Sequence, residues 1–315
     1  MNYNDLFERA AQLVWRHKFM WLLGMLIGIN STLFGFVRLA AQMAIPESLF
    51  ALETLTGGLD NLPTFDISPD LFAIEPERLF LYLAGGTTAV FIWAILFWIL
   101  VTVSEGALIG AVRDAETAQP VRFGTSLKAG WRWLGRFAAV DALVFLPWFI
   151  FTLVMMVIGI AGMFYLFSRT IAPNANLQEL ASSYLISLLC LFPVMIVMGL
   201  LSKLTIWYRT LAFRDAALLD HDVKTAVSHP FHLIKANISG VIGVTALLWG
   251  VATIAGWGIT AVSLFSTFAL NGRSPFIIAL DLAAILLIAL LKGALAAFTA
   301  AAWTLAYREW AANNE

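Results

Sequence analysis

Charge is what this sequence has least of. Only 12% of its 315 residues are Asp, Glu, Lys or Arg, and 61% are hydrophobic, against about 25% and 45–50% in ordinary soluble domains. A soluble chain of this size could not bury so much apolar surface, so that class is excluded and a polytopic membrane protein is expected. The net charge of −1 leaves no basic footprint for nucleic acid, which is excluded as a partner. Cysteine is nearly absent as well. Cys190 stands alone in an apolar run, which rules out a disulfide framework and a Cys-based zinc site. No His-Glu-x-x-His, Gly-x4-Gly-Lys-Ser/Thr or Gly-x-Ser-x-Gly pattern occurs, so no catalytic motif supports an enzyme and no cofactor is expected. Residues 2–18 carry Asp5, Glu8, Arg9, Arg16 and Lys18 with no small-residue cleavage site after them, so no signal peptide is expected.

What the chain does have is apolar runs of membrane length, at about 19–43, 79–103, 138–167, 184–207, 240–270 and 276–306. Between them lie an acidic, proline-broken outer loop (44–78) and two polar islands, 104–137 and 208–239. The first run carries Gly24-x-x-x-Gly28, a spacing that lets another helix approach closely. The second continues as helix through Gly106-x-x-x-Gly110 to Arg113.

Three segments have helical spacing with one polar face: 3–18, 120–137 and 222–238. In the second, Phe123, Leu127, Trp131 and Leu134 form an apolar stripe, and Lys128, Arg132 and Arg136 recur every four residues beside it. Such a helix suits an anionic headgroup layer, so anionic phospholipid is the expected partner. In the third, Val223, Val227, Phe231, Ile234 and Ile238 share a face. Pro230 either kinks that helix or begins a new one capped by Ser228 or His229. The expected fold is an all-α polytopic membrane protein, one domain over 1–315. It has six transmembrane helices in three hairpins, each hairpin preceded by an interfacial amphipathic helix.

Basic residues fix the orientation. They gather in 3–18, the two islands and the tail, while the opposite flanks hold only Arg38, Arg78, Arg169 and Arg273. The positive-inside rule then places both termini and both islands in the cytoplasm, with the chain in the cell's inner (plasma) membrane. The hairpins also read as repeats. Phe123, Leu127, Trp131 and Leu134 align with Val223, Val227, Phe231 and Ile234 at an offset of 100, and Arg113-Asp114-Ala115 with Arg214-Asp215-Ala216 at an offset of 101.

The segment from Ala212-Phe213-Arg214-Asp215-Ala216 through Ala226-Val227-Ser228-His229-Pro230-Phe231-His232-Leu233-Ile234-Lys235-Ala236-Asn237 resembles a recurring cytoplasmic stretch. It is similar to that of the six-helix membrane domain of some glycerophosphodiester phosphodiesterases and of its stand-alone integral membrane relatives. The resemblance implies a six-helix fold. It implies no phosphodiesterase activity, because the catalytic barrel has no counterpart in this chain.

Two clusters carry candidate chemistry. Asp220, His221, Asp222, His229 and His232 lie within thirteen residues. Imidazoles and carboxylates suit a divalent metal at His221, His229 and His232, although at a headgroup boundary they more often make interfacial contacts and helix caps. Lys292 lies near the middle of the sixth span, where a cation costs about 2.5–3.5 kcal/mol and must face the bundle. Asp281, eleven residues away and thus roughly 16 Å along the helix, is too far to pair with it, which leaves Glu105, Asp141 or backbone carbonyls near the glycines as partners. Three functions follow: a non-enzymatic protein that binds lipid or another membrane protein; a transporter or channel with a polar cavity around Lys292; or a membrane enzyme using the His/Asp cluster.

Overall fold

The computed structural model describes residues 2–28, 33, 36, 39, 76–170, 177–269 and 274–312, with backbone alone at 76–83, 156–170, 177–195, 197 and 266–269. Among the described residues there are eight helices and no strand: α1 (Tyr3–Arg16), α2 (Phe19–Ile27), α3 (Pro76–Glu116), α4 (Phe123–Thr170), α5 (Leu177–Leu218), α6 (Val223–Ala236), α7 (Ile238–Ala269) and α8 (Pro275–Ala312). Four stretches are long and apolar enough to cross a bilayer: Ala84–Glu116, Phe123–Met155, Ile238–Phe265 and Pro275–Ala312. They overlap the second, third and fifth expected spans and contain the sixth. The first span runs as α2 to Ile27, and most of its remainder lies outside the described residues, as does the outer loop from 44 to 75. The fourth span is helical in α5, but its side chains up to 195 lie outside them too.

Burial runs opposite to that of a soluble protein. Trp93, Phe149, Trp249, Trp257 and Phe276 are exposed, while Thr102, Ser104, Asp114, Ser126, Asp141, Arg214, Asp215 and Asp281 are buried. Large apolar side chains turned outward in such numbers need an apolar solvent around them. Buried polar groups in that setting must find partners within the protein.

The short helices differ in how they end. α1 stops at His17 (φ −111°, ψ 70°), and α6 stops at Asn237 (φ −123°, ψ 34°), whose side-chain amide donates to Leu233 O at 3.2 Å. That side-chain bond competes with helix continuation. Phe137 stands at the matching place in the second copy, followed by Ala138 and Ala139, and nothing interrupts the backbone. The expected separate helix over 120–137 is therefore the first part of a single 48-residue helix, α4. At 1.5 Å per residue that is about 72 Å, more than twice the ~30 Å hydrocarbon core. Pro230 lies buried inside α6, whose N-cap is Asp222 rather than Ser228 or His229.

The linkers 117–122 and 219–222 each contain a left-handed non-glycine residue, Ala118 (φ 54°) and Asp220 (φ 56°). A Cβ in that conformation costs about 1–2 kcal/mol. Ala118→Gly should therefore raise stability by about 1 kcal/mol, read as a higher melting temperature of the detergent-solubilised chain. An unchanged or lower melting point would show that the linker does not hold Ala118 there.

The helices pack as two units. In the first (2–131 and 243–302), α2 crosses α8 with backbones nearly touching. A Cβ on Gly24 would fall on Gly293 O, and a Cβ on Gly293 would fall on Trp21 O. One turn along, a Cβ on Gly28 would sit 3.8 Å from Lys292 Cβ. The Gly24-x-x-x-Gly28 spacing thus marks a real helix crossing. α4 folds back on α3 with Gly130 seated on Val103 O and Ala107 N. α1 is held by Phe7 against Phe298 (ring centroids 5.7 Å apart) and by Arg9, which bonds Glu116 at 2.6 Å.

The second unit (132–242 and 303–312) is built on aromatic and ionic layers. Phe137 stacks on Phe213 at 4.0 Å and 9°. The Arg209 guanidinium lies 4.1 Å from the Phe213 ring centroid and donates to both oxygens of Asp141, at 2.6 and 3.2 Å. Tyr208 donates its hydroxyl hydrogen to Val227 O, which ties α5 to α6.

Candidate functional site

Asp215 sits in the last turn of α5, flanked by Ala212, Phe213, Ala216 and Ala217, all buried. Its side chain has no exposed surface. Such a carboxylate is tolerated only when hydrogen bonds replace water. Three side chains do so. His221 Nδ1, from the α5–α6 linker, lies 2.8 Å from Oδ2, and His229 Nδ1, one turn before the end of the buried face of α6, lies 2.5 Å from Oδ1. Tyr307, near the end of α8, donates its hydroxyl to the same Oδ1. The two imidazoles meet edge to face, with centroids 5.6 Å apart at 89°.

The short linker makes this arrangement possible. Four residues between α5 and α6 turn the chain back, so positions six and fourteen beyond Asp215 return to its carboxylate. With Nδ1–H of a neutral imidazole given to the carboxylate, the tautomer is fixed and each Nε2 presents a lone pair. The His221 and His229 side chains keep 35% and 34% of their surface exposed, so the site is closed beneath and open above.

Of the histidines read from the sequence as a cluster, His221 and His229 come together, and His232 does not. It is exposed and contacts the Phe231 ring, 6.1 Å between centroids. Asp220 pairs with Arg136, and Asp222 caps α6. The carboxylate that joins the histidines is Asp215. Its place in the repeated Arg-Asp-Ala motif was visible in the sequence, but a separation of up to fourteen residues hid its link to them. The remaining histidine, His17, lies in the break between α1 and α2, where burial and the neighbouring Arg16 cation lower its imidazole pKa below the ordinary value.

Of the residues read as an intramembrane pair, Asp141 is bound by Arg209, and Glu105 is half-buried on α3. Lys292 is half-buried on α8 beside Gly28. Of the headgroup candidates, Lys128 and Arg132 are exposed, Arg132 lying 5.4 Å from the Trp133 ring centroid, while Arg136 is engaged by Asp220. The stripe Phe123, Leu127, Trp131 and Leu134 is exposed or half-buried. The face that packs inward is Ser126, Gly130, Trp133 and Phe137.

The same register recurs in the other copy. Ser126, Gly130 and Trp133 are buried as Ala226, Pro230 and Leu233 are, while Trp131 and Phe231 are 63% and 62% exposed. A third copy of the Arg-acid motif, which the sequence analysis missed, ends α8. Thr304-Leu305-Ala306-Tyr307-Arg308-Glu309 matches Thr210-Leu211-Ala212-Phe213-Arg214-Asp215 position by position, with Glu for Asp. The Arg-acid motif therefore stands near the ends of α3, α5 and α8, and the site's Tyr307 comes from the copy in α8. Compared with family models, curated proteins and solved structures, the chain has no match.

Proposed function

We propose that the chain is a non-enzymatic integral membrane protein of six spans in three hairpins, whose basic amphipathic segments bind anionic phospholipid on the cytoplasmic side of the inner (plasma) membrane. The observation that carries this is the shared exposure of an aromatic residue on each short segment. Trp15 is 67% exposed, and Trp131 and Phe231 follow at 63% and 62%. Each has basic neighbours: Arg16 and Lys18, Lys128 and Arg132, Lys235. An aromatic ring at headgroup depth with cations beside it is the combination that anionic lipid attracts. The loose resemblance to the membrane domain of glycerophosphodiester phosphodiesterases supports the same six-helix plan. Both termini are then cytoplasmic.

Each exposed basic residue contributes about 1 kcal/mol of attraction to an anionic surface. Replacing Lys128 and Arg132 together with Gln should therefore reduce selective retention of phosphatidylglycerol over phosphatidylcholine by roughly thirtyfold. Mass spectrometry of lipid bound to the purified protein measures this. Retention unchanged by the substitutions and by high salt would instead assign the segment to contact with another membrane protein.

A further inference from the structure

We propose that Asp215, His221 and His229 form a binding site for one divalent first-row transition ion of the zinc type. One ligand atom from each can be chosen so that all three lie within 4.8 Å of one another. They come from α5, the linker and α6, so the site forms only when these elements have folded together.

The donor set selects the ion. Two imidazole nitrogens and one carboxylate oxygen suit zinc, cobalt or nickel. Magnesium and calcium prefer shells made wholly of oxygen. Soft ions that need thiolate have no partner, since the chain's one cysteine lies in the fourth span. Tyr307 supplies the outer support that metal sites use, because its buried hydroxyl donates to Asp215 Oδ1. The half-exposure of both imidazoles leaves a fourth position on the open side for water.

Binding through Nδ1 balances simply. The ion replaces the two hydrogens now lying between imidazole and carboxylate, each ring moves its proton to Nε2, and Asp215 stays ionised. No net proton is released. Ligand atoms 2.5–2.8 Å apart in the hydrogen-bonded form separate to about 3.3 Å in a tetrahedral shell with 2.0 Å bonds. Small side-chain rotations of the half-exposed rings supply that change.

The test uses the full chain in detergent, stripped with chelator and titrated with Zn2+ by calorimetry and with Co2+ by visible absorption. The expected result is one ion per chain, four-coordinate Co2+ bands and a melting temperature that rises with zinc. His221→Ala and His229→Ala should each weaken binding at least tenfold, and Tyr307→Phe by about ten- to a hundredfold. His232→Ala should leave it unchanged. Both histidines are part-exposed, so their substitutions keep the test valid even if Asp215→Asn fails to fold. Absence of binding in the unsubstituted chain, or equal affinity in the His221 and His229 variants, would overturn the proposal and leave the cluster as a hydrogen-bonded tie between helices.

Discussion

Gly130→Ala is expected to destabilise the protein by about 2–3 kcal/mol, whereas Gly135→Ala, five residues along the same helix, is expected to stabilise it by about 1 kcal/mol. The two substitutions add the same methyl group to α4. At Gly135 nothing lies within 4 Å of the new atom, so only the gain in helix propensity remains. At Gly130 the new Cβ would collide with Val103 O and lie 2.7 Å from Ala107 N. Both obstacles are backbone, which no rotamer change can move aside. α4 would have to withdraw from α3 and uncover the buried face formed by Ser104, Leu108 and Ser126. Chemical unfolding of both variants in one detergent measures the difference. Equal stability would mean that α3 and α4 do not approach at this point.

That close contact was half legible in the sequence. Gly106-x-x-x-Gly110 and Gly24-x-x-x-Gly28 stood out as small-residue spacings, and Gly24 does mark a crossing, with Gly293 as its partner. Gly130 was hidden because the segment around it was read by its aromatic stripe. Phe123, Leu127 and Trp131 were read as the face turned to the headgroup layer, and the opposite face was given no role. That opposite face is where Gly130 lets the two backbones meet. The helix boundaries follow a different logic. The break at 237 depends on one Asn side chain bonding its own helix, and the matching Phe137 lets α4 run on. A periodicity argument treats the two copies alike and cannot see that difference.

The candidate site shows the same limit. His221 and His229 drew attention because they are rare residues near each other in sequence, and the structure does bring them together. Asp215 and Tyr307 were passed over for opposite reasons. Asp215 lay before the helix break, in a motif read as evidence of duplication. Tyr307 lay 92 residues further on, just past the end of the sixth expected span. Aligning Thr304–Glu309 with Thr210–Asp215 would have shown that the end of α8 repeats the end of α5. That alignment makes Tyr307 the counterpart of Phe213, which already stacks on Phe137.

The largest ionic effect is expected at Asp141. Asp141→Ala should cost about 3–5 kcal/mol, because it leaves the Arg209 guanidinium in a site built for a partner. The Asp141 and Arg209 side chains are only 7% and 14% exposed, and the bond is a two-pronged fork. Sequence reasoning offered Asp141 as one of several partners for Lys292, although the spacing along the chain favours Arg209. Positions 141 and 209 each lie 34 residues from position 175, between α4 and α5. Antiparallel helices joined there bring those two positions level. Arg209→Lys should fail to restore stability, since an ammonium can neither span both carboxylate oxygens nor lie flat on Phe213. Asp141→Leu combined with Arg209→Leu should recover most of the loss, because removing both charges removes the desolvation cost along with the attraction. A double-mutant cycle on melting temperature and unfolding free energy measures the coupling. A double variant no more stable than Asp141→Ala would show that Arg209 acts mainly through its stack on Phe213, and that its bond to Asp141 contributes little.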